Sequence, residues 1–582
     1  MKNKIYCGEI NKKYINKEII IYGWVESYRN LGKLIFVNLK DREGVIQAVF
    51  KPQYKIAYNI ATQLRNNFCV KIKGKILERT EKNKNLNLLT GEIEIIVFDI
   101  LLLNKSKALP IDINSVNTEE NRLKYRYLDL RQRKMTEILK KRSIIVSYIR
   151  KFLEKNKFLN IETPILTNST LEGSRDYLVP SRINKHNFYA LPQSPQIFKQ
   201  LLMIAGLDRY YQIAKCFRDE DLRSDRQPEF TQIDIEMSFT KSVLFRCFIE
   251  KMIFNIWKNI KNISLSKFKI LTFKQSMKYF GTDKPDLRNK LKLIDLSNFF
   301  IKKNINRIIS ISIKNKYLCN KKIQNLIKYI YYIKKYGTND LNIFQVNHNK
   351  LINIFNIKNI SIEHLNHKKI KDIINKNKSN HNDIIFIGTE IIHYNNISSM
   401  GYLRKKLGKD LNLIQKDKWY PLWIIDFPLF KKDKIGNLVP MNHPFTSPKN
   451  YSVDNMNNLL KKDPYQILSD SYDLVINGYE IGSGSSRINN YKIQKKIFDI
   501  LQINKIVQKK NFGFFLEALK FGTPPHIGIA LGLDRLVMLL TNTNNIRDVI
   551  AFPKTTSANC LLTKAPNKIN YHLIKDLGLS FI

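Results

Sequence analysis

Residues 211–236 read YQIAKCFRDEDLRSDRQPEFTQIDIE. Both ends have the period of β-strands, and the middle is a long polar loop. From Thr231 to Met237 the residues alternate, with Thr231, Ile233, Ile235 and Met237 on one face and Gln232, Asp234 and Glu236 on the other. The loop carries Arg218, Asp219, Glu220, Asp221, Arg223, Asp225, Arg226 and Glu229. Hairpin loops in water are usually closed by Gly, Asn or Pro chemistry, whereas this one holds charges of both signs. An ion-paired surface hairpin and a ligand-binding loop both fit these residues, so the surrounding stretches have to decide.

Just upstream, YALPQSPQIFKQLLM (189–203) sets two prolines before a helix and delivers Ser194, Gln196 and Lys199 around its start. Far downstream, YDLVINGYEIGSGSSR (472–487) holds Asn477-Gly478 between alternating apolar residues, a strong type I′ hairpin signal. A two-residue turn there sets Val475 opposite Glu480 and Asp473 opposite Gly482. Asp473 and Glu480 then lie diagonally on one face, roughly 7–8 Å apart at Cα. In GTPPHIGIALGLDRLVML (522–539) a strand with Gly528 and Gly532 runs into a helix. Arg535 falls in the first turn of that helix, where the dipole also favours an anion.

The 582 residues, 43% of them hydrophobic, suffice for several cores. No run of about 18 apolar residues is present, so no membrane span is expected. The N-terminus MKNKIYCGEINKKY has neither an apolar h-region nor an Arg/Ser-rich amphipathic stretch. Cys7, Cys69, Cys216, Cys247, Cys319 and Cys560 are far apart, which fits free thiols in a cytoplasmic location and argues against a disulfide framework or a zinc site. The net charge of +48 suits a polyanionic partner. Lys, Asn and Ile, all residues of A/T-rich codons, saturate the chain, and codon bias explains the same charge equally well.

Five β-rich runs lie within residues 1–104, with a short helix near Ile56–Arg65 between the third and fourth. That is the plan of an OB-fold, a barrel that binds single-stranded nucleic acid. Residues 105–120 lack periodicity and read as a hinge linker. From Arg122 to Phe158 the pattern is helical, with Ile138, Ile145, Ile149 and Phe152 near one stripe. Residues 289–415 change character and are dominated by Lys, Asn and Ile, yet hold enough apolar residues to fold.

Taken together, FRDED, PEFTQID, YFGTDKPDLR (279–288), VPMNHPFTSPK (439–449), YDLVINGYEIGSGSSR and HIGIALGLDRLVML resemble the class II aminoacyl-tRNA synthetases, in particular their bacterial aspartyl branch. GWVESYRNLGKLIFVNLKDREGVIQAVF (23–50) resembles the anticodon-binding domain of that branch. The resemblance covers nearly the whole chain outside 289–400. It implies an α+β, multidomain architecture: an N-terminal five-stranded OB-fold β-barrel, a catalytic domain with an antiparallel sheet flanked by helices, and an inserted α+β domain. The expected segments are an anticodon-binding domain 1–104, a hinge linker 105–120, catalytic parts 121–288 and 416–582, and an insertion 289–415. The family's insertion is named for a Gly-Ala-Asp motif, and Gly388-Thr389-Glu390 stands there in this chain.

The activity so implied is aspartate–tRNA ligation. The α-carboxylate of L-aspartate attacks the α-phosphorus of ATP, releasing pyrophosphate, and a ribose hydroxyl at the 3′ end of tRNA-Asp then takes the aspartyl group. The first nucleophile is already an anion, so catalysis rests on positioning and charge neutralisation. Carried over by position, Arg218, Arg535 and Glu480 are catalytic. Glu172, Ser194, Gln196, Lys199, Arg218, Gln232, Asp234, Asn442, His443 and Arg487 bind aspartate. Arg218, Asp219, Glu220, Gln227, Glu480, Gly532, Leu533, Asp534 and Arg535 bind ATP, and Asp473 and Glu480 hold Mg²⁺. Arg29, Phe36, Gln47 and Glu94 face the anticodon, with Phe36 as the stacking platform. A helix and strand around Pro164 imply a homodimer. Asn30 and Asn442 depart from the family's usual Asp and His. Three alternatives are an asparaginyl or lysyl relative, an inactive tRNA-binding paralogue, and an ammonia-dependent asparagine synthetase. Arg487 with Lys199 and the TDKPDLR stretch argue against the first. Arg218, Glu220, Glu480 and Arg535 argue against the second, and the barrel against the third.

Overall fold

The computed structural model describes residues 4–113, 115–169, 175–220, 222, 225–300, 307–318, 323–355, 365–391, 397–433, 435–449 and 466–580. The chain divides into two compact units, Met1–Lys140 with Ile550–Asn567, and Lys141–Val549 with Lys568–Ile582.

In the first unit, β1 (Glu18–Asn30), β2 (Ile35–Lys40), β3 (Val45–Phe50), β4 (Cys69–Glu78) and β5 (Ile93–Asn104) close a barrel in the order β1-β2-β3-β5-β4. Only β3 and β5 pair in parallel. Helix α1 (Lys55–Thr62) lies between β3 and β4, completing the OB-fold plan. Alternation builds it: in β1, Ile19, Ile21 and Val25 are buried while Ile20, Tyr22 and Trp24 are exposed. The inward rows of all five strands form one aliphatic core.

The single helical run expected from Arg122 to Phe158 is three helices, Glu119–Lys124, Arg126–Asp129 and α2 (Arg133–Lys155). The breaks surround a buried charge cluster. Arg126, 2% exposed, donates from Nη1 to Asp129 Oδ2 at 2.5 Å. Its Nε and Nη2 donate to the carbonyls of Ala551 and Ile550, both at 2.9 Å. Asp129 also accepts from Arg122 and Gln132. Within α2, Ile138, Ile145 and Ile149 are buried, as the stripe requires.

The second unit is organised by an eight-stranded sheet. Its strands are β6 (Leu159–Asn160), β7 (Arg209–Phe217), β8 (Glu229–Ser238), β9 (Lys269–Thr272), β10 (Pro421–Ile425), β11 (Ser471–Ile476), β12 (Tyr479–Ser486) and β13 (His526–Gly532), in the order β9-β10-β11-β12-β13-β8-β7-β6. The sheet is mixed rather than wholly antiparallel, because both edge pairs, β9 with β10 and β6 with β7, are parallel. Parallel neighbours need long crossovers. Here β6 reaches β7 through helix α3 (Gln196–Ile204), and β9 reaches β10 through residues 289–415. That stretch carries a five-stranded sheet and two hydrophobic cores. Gly388-Thr389-Glu390 ends one of its strands, where Glu390 pairs with Arg307 at 2.8 Å.

Replacing Arg126 by Met leaves Asp129 and two carbonyls underserved in a buried place. Arg126→Met is expected to cost the first unit about 3 kcal/mol, read as an earlier urea transition for that unit.

Candidate active site

The opening stretch is the β7–β8 hairpin, with Asp234 opposite Gln212 and Glu236 opposite Tyr210. On its other side β8 pairs with β13, setting Glu236 across from Gly528. These strands, α3, the β11–β12 hairpin and the start of α4 (Leu533–Thr541) surround a cavity of about 360 Å³.

At one end of the cavity four charges are buried together. Lys199 donates to Asp234 Oδ1 at 2.6 Å and lies 3.3 Å from Glu236 Oε2. Arg487 grips Glu236 with both Nε and Nη2, at 2.8 and 3.0 Å. The four side chains are at most 2% exposed. Burial pushes the Asp234 carboxyl up despite Lys199. Burial acts on Glu236 too, but Arg487 and Lys199 outweigh it and hold that carboxyl below the usual range. Asp234 Oδ2 is buried with no hydrogen-bond partner among the described residues. Arg487 Nη1 also donates to Ser485 Oγ and to His443 Nε2, both at 2.7 Å. The other ring nitrogen, Nδ1, faces the Phe445 N–H at 3.2 Å. Burial and the nearby Arg487 and Lys199 keep that imidazole neutral, its pKa far below the usual value.

Glu236 is the residue that the sequence reading missed as part of a site. It stands in the alternating row with Gln232 and Asp234, but its partners come from Lys199 and from Arg487, 251 positions away. Gly528 exists for it. A Cβ at Gly528 would lie 1.8 Å from Glu236 Oε2, so only glycine leaves room for that carboxylate.

The other end of the cavity gathers Arg218, Lys284, Glu480 and Arg535. Arg218 stacks on Phe230, its guanidinium carbon 5.0 Å from the ring centroid, and its Nε is buried without a partner among the described residues. Arg535, in the first turn of α4, donates to the carbonyl of Glu480 at 3.0 Å and to Asp225 Oδ2 at 3.3 Å. Lys284 Nζ lies 2.5 Å from Glu480 Oε2. Lys284, then Arg535 and Arg218, hold the Glu480 carboxyl down to about 2. Burial and then the Glu480 charge drive Asp473 the opposite way, well above the usual range. Asp473 Oδ1 is buried and unpartnered among the described residues.

Asn477 and Gly478 have φ of 54° and 84°, as a type I′ turn demands. The register beyond Val475–Glu480 differs from expectation. A bulge sets Leu474, not Asp473, opposite Gly482, and Asp473 faces Ser483. The extra residue is Ile481, 1% exposed.

Ser194, Gln196, Lys199, Arg218, Glu220, Gln227, Gln232, Asn442, His443, Asp473, Glu480, Arg487, Gly532, Asp534 and Arg535 all line the one cavity. Asp219, Asp234 and Leu533 do not. Asp219 bridges to Arg175 through its backbone, Asp234 sits behind Lys199, and Leu533 is packed in the core. The carboxylate of Asp534 is turned to the scaffold, accepting from Arg142 Nη1 at 2.6 Å and from the Thr231 N–H at 2.9 Å. Glu172 lies outside the described residues, as do Asp221 and Arg223 of the loop.

In the barrel, Arg29 on β1 pairs directly with Phe36 on β2. Gln47 Nε2 donates to Glu94 Oε2 at 3.0 Å. Arg79, absent from the sequence-derived set, ties the group together: it lies 3.8 Å from Glu94 and feels the charge of Arg29. In the sequence it is an arginine ending a strand, which any exposed strand end could carry. Asn30 accepts from the Gly32 N–H at 2.9 Å and so closes its own loop.

Residues 118–556 match the family described as tRNA synthetases class II (D, K and N), and residues 19–103 match the OB-fold nucleic acid binding domain. An aspartate–tRNA ligase of Buchnera aphidicola subsp. Baizongia pistaciae is 50% identical, over 97% of this chain and 99% of its own. That of Buchnera aphidicola subsp. Acyrthosiphon pisum (strain Tuc7) is 49% identical, over 99% of each. Among solved structures, asparaginyl-tRNA synthetase from Pyrococcus horikoshii aligns with a TM-score of 0.58 at 17% identity, over 95% of this chain and 99% of that one. Aspartyl tRNA synthetase from Entamoeba histolytica gives 0.57 at 18%, over 95% and 91%. At such identities these two structures speak for the fold alone.

Glu236→Gln strips the charge that Lys199 and Arg487 share, and is expected to cost about 3 kcal/mol at pH 7. The folded-state pKa of Glu236 lies below its unfolded value. Its contribution is therefore full above the unfolded pKa and is lost as pH falls through the folded one. Denaturation at pH 7 and in acid checks both points, because the gap between the variant and the parent chain should narrow on acidification.

Proposed function

This chain belongs to the class II tRNA synthetases of the D, K and N group, and on that premise we propose that it is an aspartate–tRNA ligase. It activates L-aspartate with ATP to aspartyl-adenylate and pyrophosphate, then transfers the aspartyl group to the 3′ end of tRNA-Asp. The observation that carries the amino-acid choice is the buried quartet of Lys199, Arg487, Asp234 and Glu236. Glu236 already offsets one of the two cations, which leaves one net positive charge for a side-chain carboxylate. Asp234, with an unpartnered oxygen, supplies one negative charge for an ammonium. Aspartate matches both. Asparagine would leave a buried cation uncompensated, and the pocket rejects it for that reason.

Arg218 takes the α-carboxylate and the α-phosphate together, a task suited to a planar fork with a free Nε. Arg535 reaches the phosphates from the helix N-terminus. Ser194, Gln196, Gln232, Asn442 and His443 complete the aspartate side of the cavity, with Glu172 added from the family pattern. Glu220, Gln227, Gly532 and the backbone near Leu533 and Asp534 serve the nucleotide. The group with Arg218, Arg535 and Glu480 needs no general base, since the attacking carboxylate is already ionised.

Asp473 and Glu480 would hold Mg²⁺. Two carboxylates, one ionised down to about 2 and one with an unpartnered buried oxygen, fit a hard cation shared with phosphates. When bound, the ion neutralises charge on the phosphate chain.

We further propose that 1–104 reads the anticodon through Arg29, Phe36, Gln47 and Glu94, that 289–415 is an insertion into the catalytic domain, and that the enzyme is a homodimer. The exposed apolar residues Ile144, Leu159, Ile165 and Leu166 support an interface along α2 and β6. No helix among the described residues is long and apolar enough to cross a membrane. The five described cysteines are free, which fits a cytoplasmic enzyme.

Aspartate-dependent exchange of pyrophosphate into ATP tests the reading. Arg218→Ala and Arg487→Ala should each lose about 100-fold or more, and asparagine should support only a trace. Equal exchange with asparagine would overturn the assignment. For the barrel, Phe36→Ala should cut tRNA charging about tenfold at limiting tRNA, by loss of one base stack. No change there would remove the barrel's role.

A further inference from the structure

Lys284 sits in the stretch YFGTDKPDLR, which the assignment above leaves without a task. Its backbone is tied down on several sides. The Lys284 N–H donates to Thr282 Oγ1 at 3.1 Å, and Ser276 Oγ donates to the carbonyl of Thr282 at 2.6 Å. Asp286 receives Arg288 at 2.8 Å, and its carbonyl accepts from Arg404 at 3.1 Å. The β11–β12 turn packs on the same place, since a Cβ at Gly478 would lie 3.1 Å from Asp286 Cβ. From this fixed base the Lys284 side chain, 35% exposed, enters the phosphate end of the cavity. Its ammonium rests on Glu480, and its other anionic neighbours are Asp283 and Asp473.

An ammonium 2.5 Å from Glu480 Oε2 occupies the space where a divalent cation would meet the same oxygen. The two cations repel and compete for one carboxylate. A lysine is suited to yielding: it is a point charge on a flexible four-carbon stem, whereas a guanidinium is committed to a fork. The triphosphate that arrives with the metal offers the ammonium new anionic oxygens within the same cavity.

Building on the ligase reading, we infer that Lys284 is a placeholder that exchanges partners. It holds the Glu480 carboxylate in place while no metal is present. When a divalent cation binds Glu480 and Asp473, the ammonium moves to the terminal phosphates of ATP. Lys284 is thereby a substrate-binding residue for the β- and γ-phosphates and sets the order in which charge enters the site.

The test uses the full-length enzyme and Lys284→Met, with Lys284→Arg as the charge-retaining control and circular dichroism to confirm folding. Binding of Mn²⁺ alone, followed by electron paramagnetic resonance, should tighten about tenfold in Lys284→Met because the competitor is gone. At saturating Mg²⁺, the ratio of affinities for a non-hydrolysable ATP analogue and for AMP should fall about tenfold, and Lys284→Arg should restore most of it. Unchanged Mn²⁺ affinity overturns the inference, and so does an equal change in the affinities for the analogue and AMP. These binding measurements stand apart from the ligase reading. If the parent enzyme shows no aspartate-dependent exchange while both shifts appear, the ligase reading fails and the partner exchange of Lys284 stands.

Discussion

Two positive and two negative side chains, almost fully removed from water, lie together at one end of the cavity, and the rest of the site is arranged around keeping them paired. Taking a charge out of water costs several kcal/mol, and only close, saturated pairing offsets it. Here the pairing is saturated on three sides: Glu236 receives both Lys199 and a bidentate Arg487. Strand β8 supplies both carboxylates from one face, α3 supplies the lysine, and the end of β12 supplies the arginine. Each element is therefore held in register by electrostatics as much as by the aliphatic core. Gly528 on the neighbouring strand completes the arrangement by leaving the volume that Glu236 fills.

The Glu480 end of the cavity is wired differently. Its cations are partly open to solvent and are paired with acids: Arg535 with Asp225, Arg226 with Glu220, and Lys284 with Glu480. Partly exposed pairs of this kind contribute little to stability, so they can be exchanged for other partners at low cost. One cavity thus joins a rigid, prepaired end to an exchangeable one, which is the division of labour the proposed reaction needs. Arg218, stacked on Phe230 between them, has its Nε uncommitted.

How far the sequence could be read depended on the range of each interaction. Strand alternation around Thr231–Met237, the Asn477-Gly478 turn and the barrel's five runs were legible because their causes are local: period-two burial and left-handed φ at two adjacent residues. The bulge at Ile481 was not. The turn dictates only the first pair, and whether Ile481 turns into the core is settled by strands that arrive later in the chain. Glu236 was visible as a member of an alternating row but not as a site residue, since its meaning lies in Lys199 and Arg487. Asp534 shows the converse. It sits in a recognisable stretch, yet its carboxylate is turned to Arg142 and the Thr231 N–H. The parallel sheet edges escaped for a related reason, because pairing direction follows from long crossovers rather than from residue pattern.

The clamp at Arg126 has a bearing on how the chain is made. The guanidinium donates its second pair of hydrogen bonds to the carbonyls of Ile550 and Ala551, 424 and 425 positions downstream. At 5–20 residues per second a ribosome needs about 20–85 s to cover that distance. The barrel's own strands precede Arg126 in the chain, while the buried end of Arg126 waits for a segment made more than 420 positions later. Assembly of the first unit thus draws on two stretches made at different times, Met1–Lys140 and Ile550–Asn567. A chain that stops within the eight-stranded sheet leaves the first unit with a buried cation short of its acceptors, so that unit itself reports whether translation has passed Ile550 and Ala551.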